Sequence, residues 1–129
     1  TSGRKLNISR EAQKAIVELQ TAVNANDTAN IPAKLAAAQA VAKSTDDKYF
    51  IAVNQTRAAL NANDNAGIKA GIEAMEASGG AEPGDLALRY TDLGKRQQNA
   101  GQMDAAAASY QKAIGFDANN AATLALLAS

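Results

Sequence analysis

Glu73 and Glu76 are the residues of this chain best spaced for acid–base chemistry, one helical turn apart. The chain has no His, no Cys and no Trp, so an imidazole base, a thiolate nucleophile and a His- or Cys-ligated metal are all unavailable. Catalysis would rest on carboxylates, Lys, Tyr or Ser. Both glutamates project from the side opposite Ile68 and Ile72, which reads as a solvated helix face. The run Asn61-x-Asn63-x-Asn65-x-Gly67 resembles a calcium loop, but its Gly comes one place late, its ligand positions are mostly neutral amides, and Ile72 stands where the closing Glu belongs. Asn7-Ile8-Ser9, Asn26-Asp27-Thr28 and Asn54-Gln55-Thr56 fit the glycosylation acceptor pattern; in so Asn-rich a chain they read as caps and turns. Gly67-x-x-x-Gly71 reads as room for a neighbouring helix to approach. No catalytic residue, cofactor or metal is expected.

Composition bounds the remaining classes. Thirteen basic and thirteen acidic residues cancel to a formal charge of zero, which removes the field that a nucleic-acid binder uses. No nucleic-acid partner is expected. Without Cys there are no disulfides, and the redox compartment stays open. No apolar run reaches the length of a signal sequence or a membrane span, so no membrane insertion is expected. A chain of 129 residues, rich in Ala and poor in Pro, aromatics and β-branched runs, reads as one all-α domain with its own core. Residues 1–8 open with a polar, aperiodic stretch and read as a flexible segment, a cloning remnant or an exposed linker.

The elements follow from periodicity and capping. Ser9 is the expected N-cap of a first helix, with Glu11 behind it and a stripe of Ala12, Ile16, Leu19 and Val23. Turn chemistry at Asn24 to Thr28 ends it, with Asp27 or Thr28 as the next cap. Pro32 then falls in a first turn, and Ile31, Leu35, Ala38 and Val41 continue the stripe. Ser44-Thr45-Asp46-Asp47 is the next break and cap, before a third helix marked by Phe50, Val53, Ala59 and Leu60. Ile68, Ile72 and Met75 mark a fourth. After Ser78 to Gly84, Asp85 is expected to cap a fifth helix carrying Leu86, Tyr90 and Leu93; Met103 to Phe116 is the sixth. Asn119-Asn120 would cap a terminal helix over 120–128.

These helices repeat. Ala22 to Ile31 matches Ala59 to Ile68 at an offset of 37 residues, and setting Asn63 on Gly101 gives a third copy at 38, with Ile68, Ile72 and Met75 falling on Ala106, Tyr110 and Ala113. Three helix-turn-helix units, about 9–43, 48–78 and 85–118, therefore follow one another. A period in the thirties is that of a solenoid, in which each unit buries its apolar face on its neighbour. Leu93-Gly94, Gly101, Ala106, Tyr110 and Ala113 fall at the spacings of a tetratricopeptide repeat, and the third unit resembles that family. The first two units, with Glu18-Leu19 and Gln55-Thr56 in place of Leu-Gly, are only similar in outline.

The resemblance implies a right-handed superhelix of three tetratricopeptide-like (TPR-like) repeats plus a short C-terminal helix, and a non-enzymatic role in holding a protein or peptide. In such a superhelix the first helix of each unit lines a concave groove. Aligning Asn26, Asn63 and Gly101 sets Asn24, Asn61 and Asn99 in one column and Gln20, Arg57 and Lys95 in another. Amide side chains there would bond a peptide backbone in both directions, and Arg57 and Lys95 would face a carboxylate, similar to the groove with which family members hold a partner's C-terminus. The alternative is that Asn24, Asn61 and Asn99 simply terminate helices. A second reading is structural: Thr123 to Leu127 lacks a following unit to cover it and would pack on a second copy as a homodimer. A third is a small carboxylate-dependent hydrolase or lyase. In composition the chain resembles exported repeat proteins of Gram-negative bacteria, which implies a periplasmic or otherwise exported location.

Overall fold

A computed structural model describes residues 7–117; the expected helix at 120–128, its cap at Asn119-Asn120 and the homodimer contact drawn from it lie outside the described residues. Among these residues there are six α-helices and no strand. They are α1 (Arg10–Asn24), α2 (Ile31–Val41), α3 (Thr45–Asn61), α4 (Asn65–Ser78), α5 (Pro83–Asn99) and α6 (Met103–Phe116). Consecutive helices pack as three hairpins, α1 on α2, α3 on α4 and α5 on α6. The chain divides into two compact units, one ending at Gly80 and one starting at Ala81. The first holds hairpins 1 and 2, where α3 also packs on α1 and α2; the second holds hairpin 3.

The turn inside each hairpin is the same. Asn26, Asn63 and Gly101 all take the left-handed conformation, with φ of 54°, 53° and 81°. In each case the residue itself donates its N–H three residues back, to Val23 O, Leu60 O and Gln98 O (3.0, 3.1 and 3.0 Å). The following N–H, from Asp27, Asp64 or Gln102, reaches five residues back to Ala22, Ala59 or Gln97 (2.9, 3.0 and 2.8 Å). That pair of bonds is the Schellman motif, which satisfies carbonyls that a helix end otherwise leaves bare. Asn and Gly occupy the left-handed position because they tolerate it best. The spacings of 37 and 38 residues in the sequence are thus the spacings of one repeated structural device.

Capping departs from the sequence expectation in three places. Ser9 does precede α1, but its side chain makes no cap bond; its hydroxyl donates instead to Asp47 Oδ2 (2.5 Å). The residue before α2 is Asn30 rather than Asp27 or Thr28, since those two are taken up by the turn, where Thr28 N–H bonds Asn26 O and Asn30 and Ile31 N–H both bond Asp27 O. Helix α5 begins at Pro83 with Glu82 before it, which leaves Asp85 in the first turn. At α3 the cap is complete: Ser44 Oγ accepts from Asp47 N–H (3.0 Å), and Asp47 Oδ2 accepts from Ser44 N–H (3.1 Å), a capping box.

Asp47 does more than cap. Fully buried, its carboxylate also accepts from Ser9 N–H (2.7 Å) and Lys43 N–H (2.9 Å), so it ties the strand of chain before α1 to the α2–α3 junction. Asn7 N–H on Asp46 Oδ2 (2.8 Å) and Ser44 Oγ on Asn7 O (3.3 Å) complete the staple. Burial alone would raise the Asp47 carboxyl's pKa, but the hydrogen bonds from Ser9, Lys43 and Ser44 outweigh it and hold the group well below the usual carboxylate range.

Core packing alternates small and large. Ala12, Ile16, Leu19, Val23, Ala38 and Ile51 form the core of hairpin 1 and its contact with α3, with Ile31, Leu35, Val41 and Phe50 packed around them. In hairpin 2, Gly71 of α4 lies so close to α3 that an added Cβ would overlap Thr56, meeting its Cα at 2.8 Å; Gly67, one turn earlier, faces Ala59. In hairpin 3 the small residue is on the first helix: Gly94 of α5 lies under the Tyr110 ring of α6. Thr56 and Gly94 are equivalent at the 38-residue offset, whereas their partners Gly71 and Tyr110 are one position out, Tyr110 falling on Ile72, so the two hairpins close at neighbouring positions with the glycine on opposite helices.

Candidate functional site

The structure brings Asn24 and Arg57 together. Asn24 is the last residue of α1, and Arg57 lies in the fourth turn of α3, where the contact between these helices sets them side by side. Arg57 Nη2 donates to Asn24 Oδ1 at 2.6 Å, and Nη1 donates to Asn54 Oδ1 at 3.3 Å. Asn54 is itself fixed, since its Nδ2 donates to Phe50 O (3.0 Å) and the residue is buried. A guanidinium carries more donors than the two spent on these amides, so the half-buried Arg57 is a cation held in one place and still able to bind an acceptor.

The other residues expected to line a groove fall around this pair or in the second unit. Gln20 lies one turn before Asn24 on α1 and is half-buried; Asn61, one turn after Arg57, ends α3 and is exposed. Lys95 and Asn99 are exposed one turn apart at the end of α5, in the unit that starts at Ala81. Asn24, Asn61 and Asn99 are each the final residue of their helix, so the helix-ending role suggested by the sequence belongs to all three, and for Asn24 the side chain does additional work on Arg57. Asn54 is the member that the sequence reading did not place here. Its signal was Asn54-x-x-Arg57, three apart on one helix face.

The remaining chemical candidates are positioned for other ends. Glu73 is exposed and pairs with Lys69 (3.7 Å) one turn earlier on α4. Asn61, Asn63 and Asn65 end one helix, shape the turn and start the next. Among the described residues no three His, Cys, Asp or Glu side chains gather as a metal site would need. Asn54 and Thr56, from the acceptor-like triplet, are buried in the middle of α3, where a glycan has no room. Thr56 bonds Ala52 O (2.8 Å) within its own helix. In hairpin 3 the polar groups pair inward: Ser109 Oγ donates to Gln97 Oε1 (2.6 Å) and Tyr110 Oη to Gln98 Oε1 (2.9 Å), while burial pushes the Tyr110 phenol's pKa up. On the outer side of hairpin 1, Lys34 Nζ meets Glu18 Oε1 at 2.9 Å; that hydrogen bond and the ammonium's charge hold the Glu18 carboxyl below its usual range.

Among the described residues no helix is long and apolar enough to cross a membrane. Comparison with family models, with curated proteins and with solved structures finds no match.

Proposed function

We propose that the protein is a non-enzymatic scaffold of TPR-like repeats, its hairpins stacked in a right-handed superhelix, that holds an extended peptide on the surface lined by α1 and α3. The observation that carries this reading is the bond from Arg57 of α3 to Asn24 of α1: residues from two register columns, on first helices of successive hairpins, converge on one surface. The identical turns at Asn26, Asn63 and Gly101 support the same repeat for hairpin 3, in which Lys95 and Asn99 hold the positions equivalent to Arg57 and Asn61. Chemically, carboxamides offer both a donor and an acceptor to a peptide backbone, and a guanidinium pairs with a carboxylate in two-pronged geometry. The partner is therefore a peptide whose carboxylate, terminal or acidic, meets Arg57.

The test is selection from a display library of peptides with free C-termini, followed by titration of the enriched peptides as acids and as C-terminal amides. Replacing Arg57 and Lys95 together by Glu is expected to weaken capture by about tenfold or more, the scale of one charge-assisted hydrogen bond. Unchanged capture by a double variant with an intact helical spectrum would overturn the reading.

A further inference from the structure

Hairpins 2 and 3 differ at three positions that lie together. At the 38-residue offset Ala52, Ala74 and Ser78 of hairpin 2 stand where hairpin 3 has Tyr90, Lys112 and Phe116. In hairpin 3 those three side chains form one block: the Tyr90 and Phe116 rings lie 5° from parallel with centroids 6.0 Å apart, and Lys112 Nζ stands 5.4 and 5.5 Å from them. In hairpin 2 the same three positions are small, and they line a cleft of about 240 Å³ between α3 and α4 that Gln39 and Ala42 of α2 close on a further side. A place filled by two aromatic rings and a cation in one repeat is open in the other.

A second observation falls at the same cleft. Gln55, which lines it, occupies the position of the fully buried Leu93 in hairpin 3. Its Oε1 is buried and has no hydrogen-bond partner. Leaving a carbonyl oxygen buried and unpaired costs more than an ordinary hydrogen bond returns, so an apolar Leu would serve a purely structural repeat better here. A Gln that tolerates this penalty beside a cleft of ring size has the properties of a recognition residue.

We propose that this cleft binds a small planar aromatic molecule bearing one N–H donor, of the indole class. Its ring takes the place that the Tyr90–Phe116 block fills in hairpin 3, against the apolar wall of Ile51, Ala52 and Ala74. Its N–H is accepted by Gln55 Oε1. Because that oxygen is covered, the terminal amide turns to meet the ligand, a rotation about a soft torsion. The site uses none of the residues of the peptide reading and stands or falls separately from it.

The experiment is an NMR titration of the full chain with indole and with benzofuran, its isostere lacking the donor. Indole is expected to bind saturably with a dissociation constant on the order of millimolar, shifting the amides of Ala52, Gln55, Ala74 and Ser78. Benzofuran should bind at least about fivefold more weakly. In Gln55→Leu the two ligands should come within about twofold of each other. Ala52→Tyr, which copies hairpin 3, and Ala74→Leu, at a half-exposed position that tolerates bulk, should each abolish binding with the helical spectrum retained. The proposal is overturned if indole gives no saturable shift, if wild type binds both ligands equally, or if binding persists in both filled variants.

Discussion

Replacing Asp47 by Ala tests the junction on which hairpins 1 and 2 depend. The carboxylate accepts from Ser9 N–H, Ser9 Oγ, Lys43 N–H and Ser44 N–H at 2.5 to 3.1 Å and is fully buried. Its removal leaves three main-chain N–H groups with no acceptor. At the lower end of the cost of an unpaired polar group, about 1 kcal/mol each, because water reaches part of this junction, the loss is about 3 kcal/mol. Against the ~5–15 kcal/mol of a whole domain, that is a large fraction. Urea unfolding followed by circular dichroism gives the total, and amide hydrogen exchange shows where it falls: on α1 and the start of α3, and not on α5 or α6. Ser9→Ala, which removes only the hydroxyl, should cost about 1 kcal/mol. A cost below about 1 kcal/mol for Asp47→Ala would refute the staple. The pH dependence has a definite sign. Folding lowers this carboxyl below its ordinary value of 3.8, so the unfolded chain binds more protons, and the contribution is complete above about pH 5 and lost as the pH falls further. Asp47→Asn should lack that part of the acid loss, measured as a shallower fall in urea midpoint between about pH 5 and pH 2.

Three further outcomes follow from the packing. Gly71→Ala places a methyl against the Thr56 backbone and should cost about 1–3 kcal/mol in urea unfolding, although Ala is the better helix former by about 1 kcal/mol; a stabilised variant would show that the helices part freely. Asn63→Gly should be neutral or stabilising, whereas Asn63→Ala should cost about 1 kcal/mol, because φ at this residue is 53°; thermal unfolding of the pair decides it. Ser109→Ala strands the buried Gln97 amide and should cost about 1–3 kcal/mol, while Gln97→Leu combined with Ser109→Ala should recover most of it, as a double-mutant cycle would show.

The all-helical class and the repeating turn were legible because they depend on local sequence. Asn-x-Asn-Asp at 24–27 and 61–64 and Asn-x-Gly at 99–101 each meet the conformational demand of the left-handed residue, and no distant contact alters that. Capping was less legible, because a cap residue can be claimed from elsewhere: Ser9 was expected to cap its own helix, and its hydroxyl is taken by Asp47, 38 residues on. The break and cap at Ser44 to Asp47 were visible, but the reach of Asp47 to Ser9 depends on how hairpin 1 meets α3. On α3 itself Phe50, Val53 and Leu60 are only half-buried while Asn54 and Thr56 are buried. Hydropathy ranks those residues the other way, and it cannot register that both polar side chains are satisfied by carbonyls one turn back on the same helix. The Arg57–Asn24 bond was not legible, because the repeat sets Arg57 level with Gln20 rather than Asn24 and nothing local connects residues 33 apart.

The proposed peptide-binding surface is the cluster of amide and guanidinium groups at the meeting of α1 and α3. The most direct measurement is chemical-shift mapping of an enriched free-acid peptide on isotopically labelled protein, with Arg57→Glu alongside. Peptide binding at this surface requires shifts concentrated at Gln20, Asn24, Arg57 and Asn61, saturating together and abolished in the variant. Shifts confined to other faces, or a peptide that binds Arg57→Glu as tightly as wild type, would contradict it.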